Sequence, residues 1–527
     1  MCSANLKRPF DLCFIGSGLS STFTLIHLLE HRIAVQTPTL LEIAIIEKYE
    51  EFHTGIPYGK RSGDSVLLIT SLKNFLPQPE YTKFIHWLNE NHHTLLKRMK
   101  ASGGELTKKW LEKHRERISK GQWGGLFIPR RFFGIYLQDR LNQLIDQQTS
   151  KGVLKVHYYC TQVTQVSKDN ALFTIHAKEL KIQSKKVILG IGSLPTHNIY
   201  TDRNIHSDDQ LLVINQIYNP SLDENLERIS NFISNLNPSS QGCNILVIGA
   251  NASALELLYK LNDIENQQEN NTNYYFLSTH GLLPDSEVDS IKQANYQPKH
   301  LHKLQSHNLL SAAQIAQAAT LDLDAAEKIQ LGAASTVNII SNAVGRLLPR
   351  LNQQELKTFA CLYGNEIGRR QRCAGQHYLD VIDDLKSKGR FEHIKGRFKD
   401  FIKKKKGYYL RYQDSHSDTM VTAPMQFHVV INCIGSTKFG GAHNQVPTLL
   451  KNLIKQGLAS PNASQIGLEV NAKLECSKNL HVVGPLLAGN IIDSKAVWHV
   501  EHCGRIIWLS GILAKIIEQS QRTTIFS

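Results

Sequence analysis

The chain repeats one hydrophobic pattern in two distant places. PFDLCFIG (9–16) is a short apolar run ending in glycine, the pattern of a strand buried on both faces of a parallel sheet. SSTFTLIHLLEH (20–31) then sets Phe23, Ile26 and Leu29, with Leu25 and Leu28, on one side at helical spacing. A second apolar strand, LEIAIIE (41–47), closes on an acid. The succession returns in NILVIGANASALELLYKLND (244–263), a buried strand, a turn at Gly249 and an amphipathic helix, followed by the strand NYYFLST (273–279). Two β-turn-α-β units are predicted, and no other internal repeat is visible.

Between and after them the pattern changes. Residues 305–362 are rich in alanine, leucine and glutamine and carry no strand signal, which predicts a helical insertion. ENQQENNTN (265–273) reads as a surface loop. AVWHVEHCGRIIWLSGIL (496–513) reads as a helix packing on a cofactor; it would put His499 and His502 on one side, where a metal can be imagined, but no third ligand is identifiable and no metal is expected.

The turn at FIGSGLSS (14–21) has Gly16 and Gly18 where a G-x-G-x-x-G turn wants them, with Ser21 in place of the third glycine. Gly16 permits the sharp turn, and Gly18 lets the backbone approach a pyrophosphate seated on the helix N-terminus, with Ser17, Leu19 and Ser20 around it. Glu47, at the tip of the second strand, would accept hydrogen bonds from a ribose. A purely structural glycine turn is the alternative. In the second unit Asn251 stands at the second glycine, beside Ala252 and Ser253, and the next strand ends in Ser278-Thr279-His280 without a carboxylate. The missing acid leans toward NADP, with His280 and nearby lysines in place of the usual arginine. A degenerate unit that only packs is the competing reading.

Length, composition and charge bound the rest. At 527 residues the chain exceeds one ordinary core, and 41% hydrophobic with 20% charged residues is a globular composition. No apolar run is long enough to span a bilayer, and no signal peptide is read at the N-terminus. The net charge of +14 is scattered, apart from Lys403-Lys404-Lys405-Lys406, which reads as a solvated hairpin turn before YYLRY, so no nucleic acid is expected. The nine cysteines include no C-x-x-C pair, which argues against a thioredoxin-reductase type of chemistry, and their apolar contexts suggest reduced thiols and make cytoplasm the expected location.

Further stretches carry a family resemblance. KKVILGIGSLP (185–195), QFHVVINCIGS (426–436) and LHVVGPLLAGN (480–490) are apolar strands running into glycine. With them the chain resembles the FAD/NAD(P)-binding oxidoreductases related to flavin-dependent monooxygenases. A largely uncharacterised bacterial group in that superfamily is similar through TGIPYG (54–59), FIHWL (84–88), FIPRRFFGIYLQDRL (127–141), LSTHGLLP (277–284) and GRRQRC…LKSKGRFEHIKGRF (368–398). The resemblance spans most of residues 9–515, with departures at VLLITSLKNF (66–75), where Ile69 and Thr70 replace an expected motif, and in GNIIDSKAVWHVEHCGR (489–505).

The resemblance implies an α/β fold of two Rossmann-like, doubly wound nucleotide-binding domains, the second inserted in the first. The FAD domain would comprise 1–200 and 437–527, and the NAD(P) domain 241–436 with a helical insertion at about 285–385. Gly16, Gly18 and Glu47 would hold the FAD adenosine diphosphate, and Gly484 and Pro485 would approach the ribityl chain or flavin ring. Gly192 and Gly435 mark the crossovers between domains. The implied function is an FAD-dependent oxidoreductase reduced by NADPH or NADH, with a monooxygenase acting on a small molecule as one form of it. The alternative is a non-catalytic scaffold for a macromolecular partner. No catalytic acid or base stands out. Arg130-Arg131 read either as a clamp for an anion or as surface charges at a helix start, and His53, Tyr58 and Trp87 are candidates for reaching the flavin.

Overall fold

A computed structural model describes residues 8–199, 207–236, 242–264, 272–405, 407–441 and 445–525. Most of the predicted 265–273 loop and Lys406 lie outside the described residues. In chain order the first strands are β1 (Leu12–Ile15), β2 (Leu41–Glu47) and β3 (Leu154–Cys160). An antiparallel trio follows, β4 (Val163–Asp169), β5 (Leu172–Ala177) and β6 (Lys181–Ser184), and then β7 (Val187–Leu189). Next come β8 (Leu212–Ile214), β9 (Cys243–Ile248), β10 (Thr272–Ser278) and β11 (Phe391–Lys404). The chain continues through β12 (Gly407–Asp414), β13 (Met420–Phe427) and β14 (Val429–Asn432). It closes with β15 (Glu475–Ser477), β16 (Leu480–Val482) and a hairpin of β17 (Asn490–Ile492) and β18 (Lys495–Val497).

These strands form two main sheets. The first has the order β15-β16-β7-β1-β2-β3, so β16, from late in the chain, pairs with β7, the neighbour of β1. The second has the order β13-β12-β11-β10-β9-β14-β8. Its β8, β14, β9, β10 and β11 run parallel, and β12 and β13 extend it antiparallel. Each sheet is therefore parallel at its centre, where β1, β7, β9 and β14 are fully buried runs. Continuous apolar strands are what a sheet covered on both faces requires. The β11–β12 hairpin turns at the lysine run, and Lys403 reaches Asp208 at 3.0 Å.

The first sheet is covered by the helix Leu19–Ala34, which packs against both Arg130–Thr149 and the terminal helix Cys503–Ile525. Between β10 and β11 the helices Ala312–Lys328 and Ala333–Leu347 dominate a separate apolar core containing Leu301, Ile315, Leu323, Ile340 and Phe359. Ile491, Ala496 and Trp498, from the β17–β18 hairpin and the residue after it, pack on this core. The insert is thus seated on the C-terminal part of the chain.

The two sheets are joined along one helix. Ala252–Asp263 buries Glu256, Lys260 and Asp263 as well as its apolar face. Arg130 Nη1 donates to Glu256 Oε1 at 2.7 Å, and Tyr218 Oη donates to Glu256 Oε2 at 2.5 Å. Lys260 Nζ reaches Ser65 Oγ and Asp263 Oδ2, each at 2.7 Å, while the Thr107 amide and hydroxyl both donate to Asp263 at 2.9 Å. Arg130 and Arg131 do start a helix, but neither is a surface charge. Arg131 is buried against Glu51 at 2.6 Å. With carboxylates already opposite them, neither arginine is a free anion clamp.

Burial pushes the Asp263 carboxyl up, but Lys260 and the Thr107 and Gly104 amides outweigh it and hold it below the usual carboxylate range. A folded-state value below the unfolded one, about 3.9, contributes stability that is complete at neutral pH and is lost as pH falls through the lowered value. Asp263→Asn is expected to cost about 3 kcal/mol or more in urea unfolding at pH 7, because Lys260 is left buried and unpaired. The deficit should shrink toward acid pH; a deficit independent of pH would contradict the assignment.

Candidate functional site

The two glycine turns are built alike. Gly16 has φ +91° and Gly249 φ +115°, in the region that favours glycine. A Cβ on Gly16 would stand 2.5 Å from the Gly190 carbonyl oxygen, and one on Gly249 would stand 2.4 Å from that of Cys433. The hydrogen bonds also correspond. The Gly16 amide donates to Ile46 and Gly190 to Ile15, as Gly249 donates to Leu277 and Cys433 to Ile248, all at 2.8–2.9 Å. Each turn thus sits where a central strand ends between two parallel neighbours, the crevice in which open α/β sheets bind ligands.

In the first turn Ser17 is buried, and its amide donates to Glu47 Oε2 at 2.9 Å, which ties the tip of β2 to the loop. Gly18 caps the helix with an extended backbone, φ −72°, and lies 3.2 Å from where a Cβ on Gly55 would be. The tight position is therefore Gly55, at φ +62°, whereas a Cβ on Gly18 would make only an ordinary 3.6 Å contact with the Gly55 α-carbon. Leu19 and Ser20 open the helix, and a Cβ on Gly484 (φ +85°) would meet Ser20 Oγ at 2.5 Å. Pro485 starts a short turn directly after it. Ser21 is more than a tolerated replacement for the third glycine. Its Oγ donates to the Gly16 carbonyl at 2.7 Å, and the close approach has moved to Gly190, where a Cβ would stand 2.1 Å from that Oγ.

His53 completes this end of the site. Its amide donates to Ser17 Oγ at 3.2 Å, its carbonyl accepts from Thr22 at 3.0 Å, and it holds a φ of +74°. Nε2 meets Tyr158 Oη at 3.2 Å, while the buried Nδ1 has no partner among the described residues. Burial pushes the ring down to about 4, so it is neutral at physiological pH. A strained residue with an orphaned buried nitrogen beside Ser17 and Glu47 fits a polar ligand held here, in keeping with the turn above the N-terminus of a long helix.

In the second turn Asn251 caps the helix that Ala252 and Ser253 open, with φ −102° and ψ −167°. That is the extended backbone Gly18 also adopts, so no glycine is required there. At the tip of β10, Ser278 Oγ pairs with His393 Nε2 at 2.8 Å, and Lys395 lies in register with Ser278 on the neighbouring strand. The Lys395 stem passes over Gly281, where a Cβ would lie 3.0 Å from its Cβ, and His280 is exposed. Sequence reasoning missed Lys395 because β11 follows the whole helical insert.

Gly192 and Gly435 lie on the two crossovers, which touch through a bridge between Thr196 and Ser436 and a hydrogen bond from His197 to Gly435. Both glycines face open space. Tyr58 is buried with its hydroxyl 3.0 Å from Cys503 Sγ, a thiol that burial pushes up to about 12. Trp87 instead donates to Asp139 at 3.2 Å within the aromatic packing around Tyr136. The predicted helix over 496–513 begins only at Cys503: residues 495–497 are captured as β18, and His499 and His502 lie in the loop between. No group of metal-ligating side chains is present among the described residues, and no helix among them is long and apolar enough to cross a membrane.

Two crevices of this kind in one chain define the class: the fold is that of the flavoproteins that bind two dinucleotides. Residues 13–194 match a family model described as FAD-NAD(P)-binding. A protein of Mycobacterium tuberculosis described only as uncharacterised is 26% identical over 514 residues, 96% of this chain and 94% of its own. Among solved structures, the Kutzneria ornithine N-hydroxylase superposes with a TM-score of 0.55 at 13% identity, covering 98% of this chain and 100% of its own. The Pseudomonas aeruginosa ornithine hydroxylase gives 0.54 at 14%, with the same coverage. The FAD-bound cadaverine monooxygenase of Erwinia amylovora gives 0.54 at 13%, covering 97% and 95%. At these identities the superpositions establish the fold.

The two turns are expected to separate by mutation. Gly16→Ala forces a backbone shift costing about 1–3 kcal/mol and should lower retained FAD by about tenfold or more. Gly249→Ala should leave FAD content intact and weaken binding of NADP+ or NAD+ instead. Flavin absorbance and calorimetry check both; loss of FAD in Gly249→Ala would undo the assignment.

Proposed function

We propose that the protein is an FAD-dependent oxidoreductase reduced by NAD(P)H, a monooxygenase that hydroxylates the nitrogen of a small amine. The duplicated glycine-on-carbonyl turn carries this reading, since it provides two separate dinucleotide crevices joined by touching crossovers. The superposed hydroxylases and monooxygenase named above, described as acting on ornithine and cadaverine, support the reaction class. FAD would lie in the first crevice, held by Gly16, Ser17, Gly18, Leu19 and Ser20, with Glu47 and His53 at the adenosine end and Gly484 and Pro485 near the ribityl chain. The division into an FAD domain of 1–200 and 437–527 around an NAD(P) domain of 241–436 goes with this placement.

Bound FAD supplies the redox chemistry, taking hydride from the nicotinamide and passing electrons on to oxygen or substrate. The chain orients and encloses. Tyr58 and Cys503, both un-ionised and buried, keep an apolar wall beside the start of the last helix. The nicotinamide nucleotide would take the second crevice, over Gly249, Asn251, Ala252 and Ser253. With no carboxylate at the tip of β10 and Lys395 in register beside Ser278, NADPH is the favoured donor. The eight described cysteines are all free, in keeping with a reducing, cytoplasmic setting. The scaffold alternative drew on Asn251, the departure at 66–75 and the +14 charge; the extended backbone at Asn251 requires no glycine, and the superposed hydroxylases and monooxygenase favour the catalytic reading.

Purified protein is expected to be yellow, with about one FAD per chain by absorbance. It should bleach without air on adding NADPH, faster than with NADH, and consume oxygen when an amine is supplied. A colourless chain that takes up no FAD would overturn the reading. Lys395→Ala should weaken NADP+ about tenfold while sparing NAD+, the loss expected for one charge-assisted hydrogen bond.

A further inference from the structure

One face of the molecule carries an apolar patch on a rigid frame, away from both dinucleotide crevices. After β10 the chain runs without helix over 281–289, pinned at Asp285. The Asp285 backbone bridges Cys373, and its carboxylate accepts from the Ala334 amide at 3.1 Å. Against the helix Gln376–Ser387 this stretch leaves a groove of about 260 Å³, lined by apolar Leu283, Leu379 and Ile382 and by charged Glu287, Asp383 and Lys386. The short helix Ser290–Asn295 follows and buries none of its residues. Hydrogen bonds fix it nonetheless. The Asp289 amide donates to Ser335 Oγ and Gln293 Nε2 to the Ser335 carbonyl, both at 2.8 Å. Lys292 Nζ reaches the Gln330 carbonyl at 3.3 Å, joining the chain next to Ile291 to the chain next to Ile329. Ile291 is held 77% exposed, and Leu282, Val288 and Ile329 are each at least half exposed. Apolar side chains fixed together at the surface beside a charged rim mark an interaction site.

The charges around the patch are divided by sign. Glu287 is exposed, and its carboxylate has no partner among the described residues; Asp380, Asp383 and Asp384 are exposed on Gln376–Ser387. The helix Ala252–Asp263 packs against Gln376–Ser387, where the Tyr259 and His377 rings meet at 5.7 Å. It packs equally against the helix Glu105–Ser119, where the Thr107 hydroxyl is bonded to Asp263. The two outer helices thus flank one rod. On Glu105–Ser119 two of the three acids are tied to lysines beside them, Glu105 to Lys108 at 2.7 Å and Glu116 to Lys120 at 2.6 Å. Lys109, Lys113 and Arg117 recur every fourth residue on one exposed side, with no ion-pair partner among the described residues. An acidic helix and a basic helix therefore lie on either side of the same support.

We propose that this face is the contact between two copies of the chain, related by a two-fold axis that passes between the two outer helices. In such a pair the basic helix of each copy lies over the groove of the other, so both contacts form at once. The lysine and arginine stems cover Val288 and Ile291, while their charged heads reach Glu287 and Asp383. The charge pattern selects a second copy as the occupant. At a net charge of +14 two chains repel when they meet at random, and a local match of acid with base is what lets them approach. The acidic rim repels a nucleic acid or an anionic membrane at the same patch. The inference does not rest on the redox reading.

Sedimentation and light scattering on the full-length protein as purified test it. A dimer is expected, with a dissociation constant of about micromolar or below. Ile291→Asp should weaken it about tenfold or more, leaving thermal unfolding and cofactor content unchanged, because the side chain is exposed and remote from the glycine turns. Lys109→Glu with Lys113→Glu should be monomeric, as should Glu287→Lys with Asp383→Lys. Mixing the two reversed chains should restore a dimer, since opposite charges then face each other in both contacts, a recovery that damaged folding would not give. Added salt should loosen the native dimer. A chain that stays monomeric at about 50 µM overturns the proposal and leaves the face to a different protein. A dimer indifferent to Ile291→Asp, or reversed chains that stay apart when mixed, overturns it by placing the contact elsewhere.

Discussion

The structure depends on a backbone-to-backbone contact that leaves no room for a side chain. At the end of β1 and again at the end of β9, a glycine presses its α-carbon onto the carbonyl of the neighbouring parallel strand. The contact brings the chain round sharply enough to start a helix over the sheet edge, and so points a helix N-terminus into the crevice. Gly190 and Cys433, which supply the two carbonyls, also begin the crossovers that carry the chain from one sheet toward the other. Turn, helix and crossover are therefore one construction, made twice.

That construction explains how far the sequence could be read. An apolar strand ending in glycine, an amphipathic helix and an acid at the next strand tip are local patterns, and they place Gly16, Glu47 and Gly249 without knowledge of the fold. The partners that give those residues meaning are distant in the chain. Nothing near Gly16 announces Gly190, and nothing near Ser21 shows that its hydroxyl locks the turn. Arg130 and Arg131 read as exposed because charged residues at a helix start usually are; their burial needs Glu256 and Glu51, brought in by other elements. The helix expected through His499 and His502 fails for a related reason. The pairing of β18 with β17 claims residues 495–497, and the Gly364 notch claims Trp498, so tertiary packing overrides the local periodicity.

The ionic seam on the helix Ala252–Asp263 has a different character. Buried charges are poor value as stabilisers, since desolvation offsets much of their attraction. They do reject alternatives, because Lys260 and Asp263 find partners only when Ser65 and Thr107 face them. The same helix opens the second glycine turn at its other end. One rigid rod thus reports the position of the first sheet to the nucleotide crevice of the second, and the two crevices inherit a fixed relation.

The helical insert stands outside that arrangement. Its earlier helices have an apolar core of their own, met by Trp498 and the β17–β18 hairpin, while Tyr378, Val381, Ile382 and Leu385 at its end belong to the main core, where Tyr378 donates to the Leu67 carbonyl at 2.6 Å. The apolar core of its first helices is therefore packed apart from the core that carries the two glycine turns. Substitutions confined to that second core can therefore accumulate without pressing on the backbone contacts from which the two turns are made.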